Sequence, residues 1–388
     1  MAKRIPLDNI CAKKLPTLSS HYGGLIDYVD ISSVDNTEKR IVSMQCISTK
    51  EAPSRAKQLL EVGDILVSMV RPNLNAVAMV EQQTDNLLVG STGYCVLRCS
   101  DIVDKRYVFY FCQSPYFVDD MTSQATGASY PAVSSGIVKS STIPHHPIEM
   151  QKQIADRLDK VSELIALRKE QLAKLDQLVK SRFIELFGNL VIGDKIKTNK
   201  KRIGDIASVT KLAGFEFTKY IKYQEHGDII MLRGLNCKKG HLVLDDIKWI
   251  DKETSDLLPR SKLYYGDILM TYAGTIGDVA MVDADDKYHL APNVAKITLN
   301  DKKAFNPVFL MHLFMYTNDY IMTFASVVAQ ASINMEKIRN FEYYFPAVET
   351  QNQFAAFIEQ IDKSKLAIQQ SLDKLELLKK SLMQEYFG

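Results

Sequence analysis

One stretch of this 388-residue chain occurs twice, and the repeat constrains what the chain can fold into. Gln151 to Gly188 and Gln351 to Gly388 align at a constant offset of 200 residues without a gap, and twelve of the thirty-eight positions are identical. Gln151, Gln153 and Ala155 match Gln351, Gln353 and Ala355. Leu172, Lys174, Leu175, Leu178, Lys180 and Ser181 match Leu372, Lys374, Leu375, Leu378, Lys380 and Ser381. Glu185, Phe187 and Gly188 match Glu385, Phe387 and Gly388. Neither copy contains proline, and the only glycine in each is its last residue.

The apolar positions define each copy. Ile154, Leu158, Val161, Ile165, Leu172, Leu175, Val179 and Leu186 step by alternating fours and threes, with Arg168 and Arg182 in the gaps. Phe354, Ile358, Ile361, Ile368, Leu372, Leu375, Leu382 and Tyr386 keep the same register, with Lys365 and Lys379 in the gaps. A 3.5-residue apolar period sustained over heptads predicts a coiled-coil seam. The closing glycine suits a helix C-cap. At about 1.5 Å per residue each helix spans roughly 50 Å. Two helices of equal length and register in one chain favour pairing with each other. Leu164, Leu167, Leu178, Leu366, Leu377 and Leu378 flank the seam and widen the apolar face beyond what two helices need, which points to a docking face for partners.

Each helix is preceded by a segment of about 145 residues, and the two segments resemble each other weakly but in consistent order. Arg4-Ile5-Pro6-Leu7-Asp8-Asn9-Ile10 opens the first, and Arg202-Ile203-Gly204-Asp205-Ile206 opens the second. Tyr28-Val29-Asp30-Ile31 aligns with Met231-Leu232-Arg233-Gly234 as a strand entering a polar loop. Gly63-Asp64-Ile65-Leu66 recurs as Gly266-Asp267-Ile268-Leu269, and Ala78-Met79-Val80 as Ala280-Met281-Val282. In each, Gly-Asp reads as a turn before a buried strand. The loop after that strand differs in chemistry: Arg71-Pro72-Asn73-Leu74-Asn75 in one half, Tyr272-Ala273-Gly274-Thr275-Ile276-Gly277 in the other. Aromatic-rich helices begin at Tyr107 and Pro307, followed by small-residue loops, Thr122 to Ser135 and Ala325 to Asn334. The predicted organisation is a first globular domain over 1–147, a central helix over 148–188, a linker over 189–201, a second domain over 202–346 and a C-terminal helix over 347–388. The fold class is α+β: two similar globular α/β domains separated by two long helices forming an antiparallel coiled coil, a pseudo-two-fold internal repeat.

Composition excludes several classes. Hydrophobic residues make up 46% and charged residues 24%, as in a soluble globular protein. No apolar run approaches the roughly 20 residues needed to span a bilayer, so no membrane association is expected and the chain reads as cytoplasmic. Six irregularly spaced cysteines read as reduced thiols rather than metal ligands. Phosphate-loop, nucleophile-elbow and zinc-protease motifs are missing, and the expected catalytic and metal residues are none.

With these residues in place, the chain resembles the specificity subunit of type I restriction-modification enzymes. The resemblance rests on the Pro147–Gln153 and Pro346–Gln353 entries into the helices, the paired helices, the Gly-Asp-Ile-Leu turns and the opening Arg-Ile-Gly-Asp-Ile-Ala of the second half. One departure is Pro6-Leu7-Asp8-Asn9 where the second half has Gly204-Asp205. The resemblance implies two target-recognition domains, each reading one half of an asymmetric bipartite sequence in double-stranded DNA. It implies that the helices set the unread spacer and dock two methyltransferase subunits, and that restriction/translocase subunits complete the complex. S-adenosylmethionine, ATP and Mg are then expected on the partners, with no cofactor on this chain. Two other readings stay open at the level of sequence: a scaffold with two protein-binding heads, and an enzyme with an unrecognised site.

Base readout draws on Arg or Lys for guanine and Asn or Gln for adenine, with hydroxyls positioning phosphates. The loops of the first half supply Ser32, Ser33, Arg71, Asn73 and Asn75 as DNA-binding candidates. Those of the second supply Arg233, Asn236, Lys238 and Lys239, with Tyr272, Thr275 and Asn293.

Overall fold

A computed structural model describes residues 3–327 and 331–388 of the chain. Residues 328–330, within the second small-residue loop, lie outside the described residues. The chain divides into two compact units. One comprises Met1–Glu170 with Ile368–Gly388, and the other Gln171–Ala367.

The long helices run over Ile148–Phe187 and Val348–Phe387. In the first unit the start of the central helix packs against the end of the C-terminal helix. Ile154 and Leu158 share a core with Met383, Tyr386 and Phe387, and Arg157 donates to the Tyr386 hydroxyl at 3.1 Å. In the second unit the pairing is reciprocal: Val179, Phe183 and Phe187 meet Phe354, Ile358 and Ile361. The two helices are therefore antiparallel in each unit. Every predicted seam residue is buried or half-buried, while the flanking Leu164, Leu167, Leu178, Leu366, Leu377 and Leu378 are exposed. The charged seam positions have defined surroundings. Lys365 pairs with Asp176 at 2.5 Å, and Lys379 lies 5.5 Å from the Tyr110 ring centre, desolvated so that its pKa falls. Gly188 ends the central helix at φ +63°, the left-handed turn that glycine adopts without a Cβ penalty.

The two heads share a strand plan. In the first, a four-stranded sheet is ordered Gln45–Ser48, Leu25–Val29, Leu87–Ser91, Ala56–Leu59, its central pair parallel. In the second the order is Lys248–Ile250, Ile229–Leu232, Tyr288–Leu290, Lys262–Leu263, again with a parallel central pair. An antiparallel sheet accompanies each, built on Ile65–Ser68 and on Ile268–Thr271. The second head adds a strand, Ala207–Lys211; the first has only a single bridge there, Cys11 opposite Cys99. The N-terminal strands correspond despite their different sequences: Arg4–Pro6 pairs with Thr142–Pro144, and Lys200–Arg202 with Glu342–Tyr344.

The Gly-Asp turns are where sequence dictates geometry most directly. Gly63 and Gly266 sit at φ +97° and +83°, and the aspartates that follow are buried. Asp64 accepts from Glu61 N at 2.8 Å and receives a bidentate Arg98 at 2.8 Å on both oxygens. Asp267 accepts from Tyr264 N at 2.9 Å and from the Thr298 hydroxyl at 2.5 Å. The same turn is thus closed by an ion pair in one head and by a neutral donor in the other.

Aromatic packing fastens the second head to its helical frame. Phe183, Phe187, Phe309 and Phe354 form one cluster with centroids 4.9 to 5.9 Å apart. Burying each such ring contributes roughly 1.5–3 kcal/mol.

Candidate nucleic-acid interface

Two turns of the first head carry its proposed readers. Strand Leu25–Val29 leads into a 3-10 turn over Ile31–Ser33, where Ser32 is exposed. Ser33 is buried, and its hydroxyl accepts from Asp30 N at 3.1 Å. Ser33 closes the turn and is withdrawn from a DNA-contacting role. Strand Ile65–Ser68 leads to the 3-10 turn Pro72–Leu74, flanked by Arg71 and Asn75 at φ +50° and +47°. Left-handed backbone at arginine costs about 1–3 kcal/mol, and the 2.7 Å hydrogen bond from Arg71 N to Pro131 O helps to hold it. Arg71 and Asn73 are exposed, and the Arg71 guanidinium lies 4.8 Å from the centre of the exposed Tyr130 ring. No ion pair engages Arg71 among the described residues.

Asn75 is half-buried and engaged within its own head. Its amide donates to Cys112 O at 2.8 Å and its side-chain oxygen accepts from Lys39 Nζ at 2.8 Å. Both ends are used within the head. Burial brings the Lys39 pKa down to about 8, and Lys379 nearby adds to the shift.

In the second head, strand Ile229–Leu232 enters a 3-10 turn over Gly234–Asn236, equivalent to Ile31–Ser33. Asn236 is fully buried. Its oxygen accepts from Arg233 N at 3.0 Å, and its amide donates to Val243 O and Asp246 O at 2.8 and 2.9 Å. It repeats the role of Ser33 and likewise closes a turn instead of facing a ligand. Arg233 donates from Nη2 to Asp246 Oδ1 at 2.7 Å, while its buried Nε has no partner.

Four of the sequence-predicted residues converge. Arg233, Lys238, Thr275 and Asn293 line one open cleft of about 500 Å³, together with Phe217, Tyr223 and Asp278. Lys239 is exposed next to Lys238, at φ +48°. Tyr272 donates its backbone N–H to Asn293 O at 3.0 Å, and its ring lies 5.5 Å from Lys211 Nζ. Thr271 closes the hairpin from below: its hydroxyl accepts from Asp278 N at 3.0 Å, and its N–H donates to Asp278 O at 2.9 Å.

Sequence reasoning missed Tyr130, Phe217, Tyr223 and Asp278. Tyr130 lies within the predicted small-residue loop, where its aromatic ring was the available signal.

Known proteins agree with this architecture. The model for the type I restriction modification DNA specificity domain matches residues 9–177 and again 196–378, nearly the whole chain. The chain belongs to this family. It is 24% identical over 316 residues to the EcoBI type I restriction enzyme specificity subunit of Escherichia coli, covering 74% of this chain and 66% of that one, about two thirds of its length. It is 22% identical over 370 residues to the putative MjaX specificity subunit of Methanocaldococcus jannaschii, covering 91% and 84%. A solved structure described under complex assembly and conformational transition of the type I R-M system shares the fold at TM-score 0.62 and 21% identity, covering 99% of this chain and 97% of that one. The type I restriction-modification S subunit of M. genitalium does so at TM-score 0.58 and 14% identity, covering 100% and 96%. The family's role is recognition of a DNA target. Among the described residues of this member, no helix is long and apolar enough to cross a membrane.

Proposed function

We propose that this chain is the specificity subunit of a type I restriction-modification complex, each head reading one half of an asymmetric bipartite target in double-stranded DNA. The observation that carries the reading is one strand plan bearing two different loops: an Arg71-Pro72-Asn73 turn in one head, an Ala273-Gly274-Thr275 hairpin in the other. Unlike side chains on like frames read unlike half-sites. The paired helices fix the separation of the half-sites and present their exposed leucines to two methyltransferase subunits. Restriction/translocase subunits complete the assembly. This chain does no chemistry of its own; S-adenosylmethionine, ATP and Mg belong to the partners.

The test is the methylome of cells expressing the system, with and without this gene. Loss of methylation at a single bipartite motif is the expected result. An unchanged methylome, with the complex expressed, defeats the reading.

A further inference from the structure

We infer that Asp278 is a base-reading residue of the second head, accepting a hydrogen bond from an exocyclic amino group (cytosine N4 or adenine N6) in the major groove. The inference rests on the DNA-recognition reading and adds a residue to it.

Asp278 lines the cleft where Arg233, Lys238, Thr275 and Asn293 converge. Its carboxylate is half-buried and takes part in no hydrogen bond or ion pair among the described residues, although Lys238 and Lys239 are near enough to act on it electrostatically. Burial disfavours the charged form and raises its pKa. A carboxylate so placed lacks a donor, and the cleft is where one would enter.

The first head shows that the side chain is not needed for folding. Strands Val77–Met79 and Val279–Met281 correspond, which sets Asp278 opposite Ala76. The backbone performs the same task at both: Ala76 O accepts from Ser68 N at 2.9 Å, and Asp278 O accepts from Thr271 N at 2.9 Å. The frame is kept and the side chain changes. Against duplex DNA a carboxylate is repelled by every phosphate, so its presence in a DNA-facing cleft lowers affinity unless a base offers a donor. In the major groove those donors are the amino groups of cytosine and adenine.

The experiment is binding selection by the complete complex with its methyltransferase subunits, from a duplex library randomised across the second half-site. Wild type is compared with Asp278→Ala, which removes the acceptor and reproduces the residue of the first head. The expected result is a relaxed preference at one cytosine or adenine position, by about ten-fold or more, with the other positions unchanged. The base selected there by wild type tells cytosine from adenine. Tighter binding to all sequences with an unaltered motif means that the carboxylate only repelled phosphates, and overturns the inference. An unaltered motif at unaltered affinity also overturns it. A wild-type complex that selects no bipartite motif fails the functional reading itself, which separates the two.

Discussion

Gln151 and Asp104, forty-seven residues apart, share a 3.0 Å hydrogen bond in which the glutamine oxygen accepts the N–H of the residue capping helix Lys105–Phe111. The same bond recurs between Gln351 and Asn306 at 2.9 Å, where Asn306 caps helix Pro307–Tyr316. Each glutamine also donates backwards, to His146 O at 2.7 Å and to Pro346 O at 2.8 Å. Both are buried. The first identity of the sequence repeat is therefore a latch between a head and its helical frame. Gln151→Ala strands a half-buried N–H and a half-buried carbonyl, and destabilisation of about 1–2 kcal/mol is expected. Thermal denaturation checks it; a melting curve like that of wild type would rule out the latch.

The two Gly-Asp turns should respond unequally to the same change. Asp64→Asn removes one arm of the bidentate pair with Arg98, which keeps Glu61 at 2.6 Å, a loss of about 2 kcal/mol. Asp267→Asn keeps its oxygen on Tyr264 N and turns its amide to the Thr298 hydroxyl, which can accept as well as donate, and should cost about 1 kcal/mol or less. Chemical denaturation of the two variants decides, and equal losses would contradict the assignment.

His312 makes the second unit sensitive to acid. Burial takes its pKa down to about 4, and Nδ1 faces Val308 O at 2.8 Å, so this nitrogen carries the proton of the neutral ring. The unfolded chain titrates near 6.5 and so binds more protons than the folded one between pH 6.5 and 4. Stability is full above pH 6.5 and falls as the pH drops towards 4, by on the order of 3 kcal/mol. His312→Gln should flatten this slope in denaturation curves taken across that range.

Leu366 and Leu377 are 60% and 68% exposed, on the faces assigned above to partner docking. Leu366→Lys and Leu377→Lys should change stability by no more than about 0.5 kcal/mol. They should also weaken capture of methyltransferase subunits. Size-exclusion chromatography of the co-expressed complex reads the outcome, and normal assembly would remove these leucines from the docking face.

Arg71 and Arg233 should separate by what they hold. Arg71→Ala leaves the fold intact and weakens binding at the first half-site by about 1–3 kcal/mol. Arg233→Ala weakens the second half-site and also lowers the melting temperature, because its ion pair with Asp246 is lost. Binding titrations on duplexes altered in one half-site at a time, with melting curves alongside, test both statements.

The helices were legible because a seam is a local period, and so were the Gly-Asp turns, where glycine is the residue that reaches φ near +90° cheaply. The exposed turn at Arg71 was legible too. Ser33 and Asn236, both buried, were misassigned for one physical reason: a polar residue in a loop looks the same whether it closes its own turn or waits for a ligand. The partners of Asn75, Cys112 and Lys39, lie 37 and 36 residues away, beyond the reach of local pattern. Asp278 was overlooked because an acid runs against the charge expected of a DNA-binding surface.

The reciprocal pairing of helix ends sets an order of manufacture. The second unit is one continuous stretch, Gln171–Ala367, and can close as soon as the ribosome has released it. The first is split: its core includes Met383, Tyr386 and Phe387, and Arg4 donates to Phe387 O at 2.9 Å. Domains ordinarily fold in the order of their synthesis, N-terminal first. Here the head made first is the last to be finished. It waits through some two hundred residues of translation with an unfilled core, which makes it the part of the nascent chain that most needs shelter.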